Sequence, residues 1–336
     1  MNETLDPGDD VTQRPAAFGQ LPERVLRSSL LALSRHRSLG RIATRVPVAR
    51  SMVRRFVAGQ RLPEALEAIE RLRARGFLTT VDILGESVAS VADATIAADA
   101  YVDALDALAA RGLDRNVSLK LSQMGLGIDE DLARENVSRI VERAVALGAF
   151  VRIDMEDHST VEQTLRLWAD VRPAADVRDA ADLGVVIQAA LHRSPADVER
   201  LVTEGARVRL CKGAYREPAR VAHQDRAEID AAFLGLQETL LLHGSYPALA
   251  THDPAMIRAA LSIVRARGID RDRFEFQMLY GVRRDLQERL VAAGYRVRVY
   301  VPFGEQWYPY FMRRLAERPA NVAFLLRSLL QEGRGG

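Results

Sequence analysis

Eight short runs rich in β-branched residues recur along this chain, and their spacing leaves very few folds open to it. They are "FLTTVDIL" from Phe77, "NVSLKLS" from Asn116, "FVRIDME" from Phe150 and "GVVIQAA" from Gly184, then "RVRLCKG" from Arg207, "YPALAT" from Tyr246, "RFEFQML" from Arg273 and "YRVRVYVP" from Tyr295. Their starts lie roughly 20 to 40 residues apart, which leaves room for strand, loop, amphipathic helix and loop, and that alternation calls for a parallel sheet. Eight repeats predict closure into a (β/α)₈ barrel over residues 77–332. The competing doubly wound sheet is disfavoured, because its strands are buried on both faces and read as near-continuous apolar runs.

These runs alternate instead. Ser118 and Lys120, Arg152, Asp154 and Glu156, Arg207, Arg209 and Cys211, Glu275 and Gln277, and Arg296, Arg298 and Tyr300 interleave with Val117, Leu119, Val151, Ile153, Val208, Leu210, Phe274, Phe276, Val297 and Val299. In a barrel ringed by helices the apolar set must face outward, so a period of two turns the charged set into the lumen. Buried charges of both signs must be paired or bound to something charged. Two readings follow: a structural ion-pair network, or a polar pocket for a charged ligand. The strand ends that line the active face of such barrels carry Lys120, Asp154, Gln188, Lys212, Tyr215, His252, Gln277, Tyr280 and Tyr300, a clustering that favours the pocket.

Charge balance narrows the partners. The 47 Lys and Arg against 45 Asp and Glu leave a net +2, too small a field to argue for nucleic acid. The lone Cys211 cannot close an internal disulfide, and one Cys among six His offers no zinc pattern, so a reducing, cytoplasmic setting is expected. The opening "MNETLDPGDD" has no basic region followed by an apolar one, and no export signal or membrane span is expected. Residues 1–20 read as a disordered leader, and 21–76 as an N-terminal helical segment ending at a Gly76 cap.

Three motifs carry candidate chemistry. After the last strand, "VYVPFGEQWYPYFMRRLAERPAN" places Pro309 in a first helical turn and Tyr310, Arg313, Arg314 and Glu317 on one helical face. Adjacent arginines there are either a solvated face or a carboxylate clamp, since a guanidinium fork binds carboxylates bidentately and keeps its charge; Glu317 is spaced to hold Arg313. In "RLCKGAY", Gly213 permits close backbone approach, and Lys212 is a loop cation, a Schiff-base nucleophile or a stabiliser of developing negative charge. In "ATHD", His252 is structural or catalytic.

Taken together, "SLKLS", "RIDMED", "RLCKGAYREP", "ATHDP", "FEFQMLYGV" and "RVYVPFGEQWYPYFMRRLAERPAN" resemble the proline dehydrogenase family, from roughly Phe77 to the C-terminus. The resemblance implies a barrel with non-covalent FAD across its strand ends, oxidising L-proline to Δ1-pyrroline-5-carboxylate by hydride transfer. It implies that Arg313 and Arg314, helped by Lys120, bind the proline carboxylate, that Tyr300 and Tyr310 pack around the ring, and that Asp154 and Tyr215 occupy substrate-pocket positions. Gln188, Arg209, Lys212, Gly213, Tyr215, Thr251, His252, Glu275 and Gln277 take FAD-shell positions. The implied partners are a membrane quinone as acceptor and a separate pyrroline-5-carboxylate dehydrogenase. A stand-alone enzyme is expected, cytoplasmic or peripheral on the inner membrane face. Asp253 departs from the Asn common after the Thr-His pair. A 4-hydroxyproline dehydrogenase, disfavoured by Tyr300, a Schiff-base aldolase using Lys212 and a non-enzymatic binding barrel are the rival readings.

Overall fold

In a computed structural model, which describes residues 53–85, 88–172 and 182–316, each of the eight runs forms one strand. The strands are β1 (Leu78–Ile83), β2 (Asn116–Leu119), β3 (Phe150–Ile153), β4 (Asp182–Gln188), β5 (Val208–Cys211), β6 (Ala248–Ala250), β7 (Glu275–Leu279) and β8 (Val297–Phe303). All neighbours pair in parallel and β8 closes on β1 through Leu78 opposite Arg298 to Ile83 opposite Phe303. The closed barrel leaves no unpaired edge. The leader and most of the N-terminal segment expected from sequence, with Glu317 and the C-terminal tail, lie outside the described residues.

Helices α2 (Val91–Ala110), α3 (Glu130–Leu147), α4 (Val161–Asp170), α5 (Ser194–Thr203), α6 (Arg226–His243), α7 (Pro254–Arg267) and α8 (Arg284–Ala292) follow β1 to β7 in turn. Local chemistry sets their ends. Asp129 accepts from Leu132 N–H to start α3, and Gly148 and Gly268 close α3 and α7 in the left-handed conformation. In α2 the buried positions Ala94, Ala98, Tyr101, Leu105 and Leu108 recur at helical spacing. The outward strand residues Val117, Leu119, Val151, Ile153, Val208, Leu210, Phe276, Val297 and Val299 are all buried beneath this helical ring.

Two further helices among the described residues break the repeat in a way that matters for the mouth. Helix α1 (Leu62–Arg73) precedes β1 and packs against both β1 and β8, so it fills the slot that a helix following β8 would occupy. Helix α9 (Trp307–Ala316), following β8, is thereby freed to lie over the strand ends. Its Trp307, Tyr308, Tyr310, Phe311, Met312 and Leu315 pack with Val53, Phe56, Val57, Leu84 and Val282 in an apolar cluster separate from the main core, with Leu279 against it. Ala58 N–H donates to Pro302 O (2.9 Å) and Gly304 N–H to Gly59 O (3.0 Å), tying the segment before α1 to the end of β8.

The lumen has no spare volume at Gly184. A Cβ there would lie 2.5 Å from Arg207 O, 2.6 Å from Phe150 Cζ and 2.7 Å from Arg152 Nη1. Gly184→Ala is expected to destabilise the fold by about 1 to 3 kcal/mol through overpacking, read as a lowered urea midpoint at unchanged slope; an unchanged midpoint would mean the lumen can relax.

Candidate active site

The inward faces of the strands form a polar lattice centred on Arg209, with Arg152 beside it bonded to the carbonyls of Val185 and Arg207. Register sets Ser118 beside Arg152, Arg209 beside Ala248 and Gln277 beside Arg298, and all but Ala248 carry polar side chains buried in the lumen. Arg209 on β5 is the hub. Its Nη1 donates to Asp154 Oδ1 (2.6 Å) and its Nη2 to Ser118 Oγ (2.9 Å), and its Nε donates to Gln277 Oε1. Ser118 in turn donates to Asp154 (3.0 Å). Tyr300 donates its hydroxyl to Asp154 Oδ2 (2.8 Å) while its ring sits under the Arg209 guanidinium at 5.3 Å. Burial first, and then the Asp154 charge, push the Tyr300 phenol well above its ordinary range, so it stays a donor.

Below this hub the lattice continues to Glu275. Its carboxylate accepts from Arg298 Nε (2.8 Å), Tyr246 (3.1 Å) and Gln277, and Arg298 also reaches Asp114 and Thr79 O. Burial alone would raise the Glu275 pKa, but the charge and hydrogen bond of Arg298, with Gln277, hold it at about 2. Arg296, expected in the lumen, is instead exposed, because β8 begins one residue later; it donates to Asp272 O. The thiol of Cys211 is pushed up to about 12 by burial and is no nucleophile.

At the mouth, Lys120 Nζ lies 3.6 Å from Asp82 on β1. Gln188 Nε2 donates to Glu156 O (2.6 Å), and Glu156 caps the β2 loop through Ser122. His252 Nε2 accepts from Leu279 N–H (2.9 Å), so its neutral form carries the proton on Nδ1. Thr251 Oγ1 accepts from Asp253 N–H (3.0 Å). Gly213 has φ of +120°, and a Cβ on it would meet Ala190 Cβ and Gln188 Oε1 at 3.2 Å. Tyr215, in the loop beyond, is 42 % exposed at the rim. Tyr310 is buried on α9, Arg314 stacks on its ring at 5.2 Å, and Arg313 is half-buried beside it.

Lys212 is placed differently from a free loop cation. Its ammonium pairs with Asp230 of α6 and, at 2.8 Å, with Asp253. A Schiff-base lysine must present its nitrogen to a carbonyl carbon; here two carboxylates already engage that nitrogen, which argues against the aldolase reading. Sequence reasoning passed over Asp82 and Asp230. The first was findable, since Thr80 and Asp82 alternate on β1 as the charged residues do on other strands. No local signal in α6 marks Asp230.

The family model described as "Proline dehydrogenase" matches residues 65–327. The chain belongs to the proline dehydrogenase family. It is 41% identical over 308 residues to "Proline dehydrogenase 1" of Bacillus subtilis subsp. natto, covering 92% of this chain and 100% of that one. To the Deinococcus radiodurans "Proline dehydrogenase" it is 42% identical over 284 residues, covering 84% and 91%. The Escherichia coli "Bifunctional protein PutA" shares 28% identity, with 83% of this chain matching only 24% of that one. Among solved structures, proline utilization A from Bdellovibrio bacteriovorus inactivated by N-propargylglycine superposes with a TM-score of 0.73 at 27% identity, over 80% of this chain and 32% of that one.

The depressed pKa of Glu275 has a testable sign. A carboxyl held at about 2 against an ordinary 4.5 adds stability above the unfolded value, on the order of 3 kcal/mol, that drains away as pH falls from about 4.5 toward 2. The stability gap between wild type and Glu275→Gln, from urea unfolding, is expected to narrow across that window. A gap independent of pH would show that Arg298 does not hold the carboxylate charged.

Proposed function

We propose that this chain is an FAD-dependent proline dehydrogenase that oxidises L-proline to Δ1-pyrroline-5-carboxylate and passes the electrons to a quinone. The observation that supports the reading is the apolar docking of α9, the helix that carries Arg313 and Arg314, against Leu84, Leu279 and Val282 at the ends of β1 and β7. A small amino acid bound there finds cations for its carboxylate and an aromatic wall for its ring.

The residues at the mouth suit FAD. A flavin edge offers carbonyl oxygens, ring nitrogens and one N–H, and Gln188, Lys212 and His252 carry donors and acceptors to match, with the bonded pair Arg209 and Gln277 behind them. At Gly213 any Cβ would fill the space between the backbone and Gln188, which supports a cradle for a flat ligand. Thr251, Glu275 and Tyr215 complete the set, with Glu275 acting through Gln277. Bound there, FAD would accept the hydride that leaves proline C5.

The chain's own residues bind, orient and exclude water. Arg313 and Arg314, with Lys120, fix the substrate carboxylate, and this anchoring selects which ring carbon faces the cofactor. Tyr300 and Tyr310 wall the ring. Asp154 accepts from Ser118, Arg209 and Tyr300 together, so its work is to lock the Tyr300 ring and the Arg209 fork in place. Among the described residues no helix is long and apolar enough to cross a membrane. In this reading a membrane quinone takes the electrons, and the product passes to a separate pyrroline-5-carboxylate dehydrogenase.

Purified protein is expected to be yellow, with a flavin band that bleaches when L-proline is added without oxygen. Arg313→Met and Arg314→Met should each keep FAD and lose roughly ten- to a hundred-fold in kcat/KM, the loss of one charge-assisted hydrogen bond of about 1.5 to 3 kcal/mol. A colourless, folded protein that takes up no FAD would sink the cofactor assignment. Wild-type efficiency in both arginine variants would make the pair a solvated helix face.

A further inference from the structure

His158, directly after the "RIDMED" run, and Glu217 of "RLCKGAYREP" have no place in the candidate site, yet the fold brings them together. His158 sits in the loop after β3, and Glu217 in the loop from β5 to α6, 59 residues later. The Glu217 side chain is 5 % exposed. One of its oxygens accepts from His158 N–H at 2.9 Å and the other faces His158 Nδ1 at 2.5 Å. A carboxylate spanning both the amide and the ring of one residue is a two-point latch between loops.

The latch closes one end of a short exposed span. At the near end, Lys212 O accepts from Ala190 N–H (2.9 Å) and the Lys212 ammonium pairs with Asp230 and Asp253. Beyond the latch the loop is fastened again: Leu191 bridges to Ala222, His192 N–H donates to Val221 O (2.9 Å), and His223 N–H donates to Ala190 O (2.9 Å). Gln224 Nε2 donates to Glu217 O (3.2 Å) and Ala222 O (2.8 Å). Residues 213–216, exposed and carrying Tyr215, therefore hang between Lys212 and Glu217. Four residues cannot hold a side chain over a pocket unless both of their ends are fixed.

We propose that Glu217 and His158 are positioning residues that hold the 213–216 span, and with it Tyr215, over the mouth of the substrate pocket. This rests on the reading of Tyr215 as a pocket residue. The pair acts by preorganisation: it sets the fraction of molecules whose loop is competent to close on substrate and leaves the chemistry after binding unchanged. Releasing the latch so that about a tenth of molecules are competent raises the apparent KM about tenfold, with kcat nearly constant.

The test compares wild type, Glu217→Ala, Glu217→Gln and Tyr215→Ala as full-length, FAD-loaded proteins. Steady-state kinetics with L-proline and an artificial electron acceptor is read alongside the rate of tryptic cleavage after Arg216, located by mass spectrometry. Glu217→Ala is expected to raise KM about tenfold at similar kcat and thermal midpoint, and to speed cleavage after Arg216 by more than the same substitution does in the urea-unfolded chain. Glu217→Gln, whose amide oxygen still accepts from His158 N–H, should recover most of both. Unchanged cleavage and KM in Glu217→Ala overturn the latch. Faster cleavage with unchanged KM, joined to unchanged kinetics in Tyr215→Ala, overturns the pocket reading of Tyr215 while leaving the latch in place. If Glu217→Ala does not fold, His158→Pro, which removes both the N–H and the ring from the latch, is put through the same cleavage assay, where faster cleavage supports the latch and wild-type cleavage overturns it.

Discussion

The Arg209 guanidinium, buried in the centre of a closed barrel, is the interaction around which the rest of this structure is arranged. A desolvated guanidinium must spend its donors or cost the fold several kcal/mol, and Arg209 spends them on Asp154, Ser118 and Gln277. Each partner then fixes something else. Asp154 locks Tyr300, and Gln277 passes the constraint down to Glu275 and Arg298. A lumen built this way is rigid, because moving one side chain leaves a buried charge without its counterpart. Rigidity on the strand side of the mouth suits the proposed orienting of a small amino acid.

The opposite wall of the mouth is held by different physics. Helix α9 carries no partner strand and stays in place through apolar packing with the segment at 53–57, Leu84 and Val282. Because α1 already covers β1 and β8, α9 is not drawn to the outside of the barrel. The site thus has an ionic, strand-borne floor and a roof seated by hydrophobic contact. Hydrophobic contacts are non-directional and tolerate sliding better than hydrogen-bonded pairs, so motion needed for substrate entry is more easily supplied by the roof and by the β5 to α6 loop than by the floor.

Much of this was legible in the chain. The period-two alternation of Arg152, Arg209, Glu275 and Arg298 with valines and phenylalanines encoded both the barrel and its polar interior, since a strand flips its side chains from face to face at every residue. The spacing of Tyr310, Arg313 and Arg314 put them on one helical face for the same kind of reason. The placement of Lys212 was not legible: its partner Asp230 lies 18 residues on, in a helix, and nothing in either segment announces the pair. Likewise the meeting of His158 with Glu217 depends on two loops that only the closed barrel brings side by side.

Sequence by itself determined the number of strands, their inward and outward faces and the residue types available at the mouth, because those follow from periodicities that act over a few residues. Tertiary structure alone decided which charge pairs with which, that α1 and not α9 caps the β8 to β1 seam, and that two carboxylates hold Lys212. Those outcomes depend on barrel closure and strand register, which bring together groups tens to hundreds of residues apart, as Arg298 and Thr79 are at a separation of 219. Local propensity carries no information over such distances; barrel closure and the strand register it fixes do.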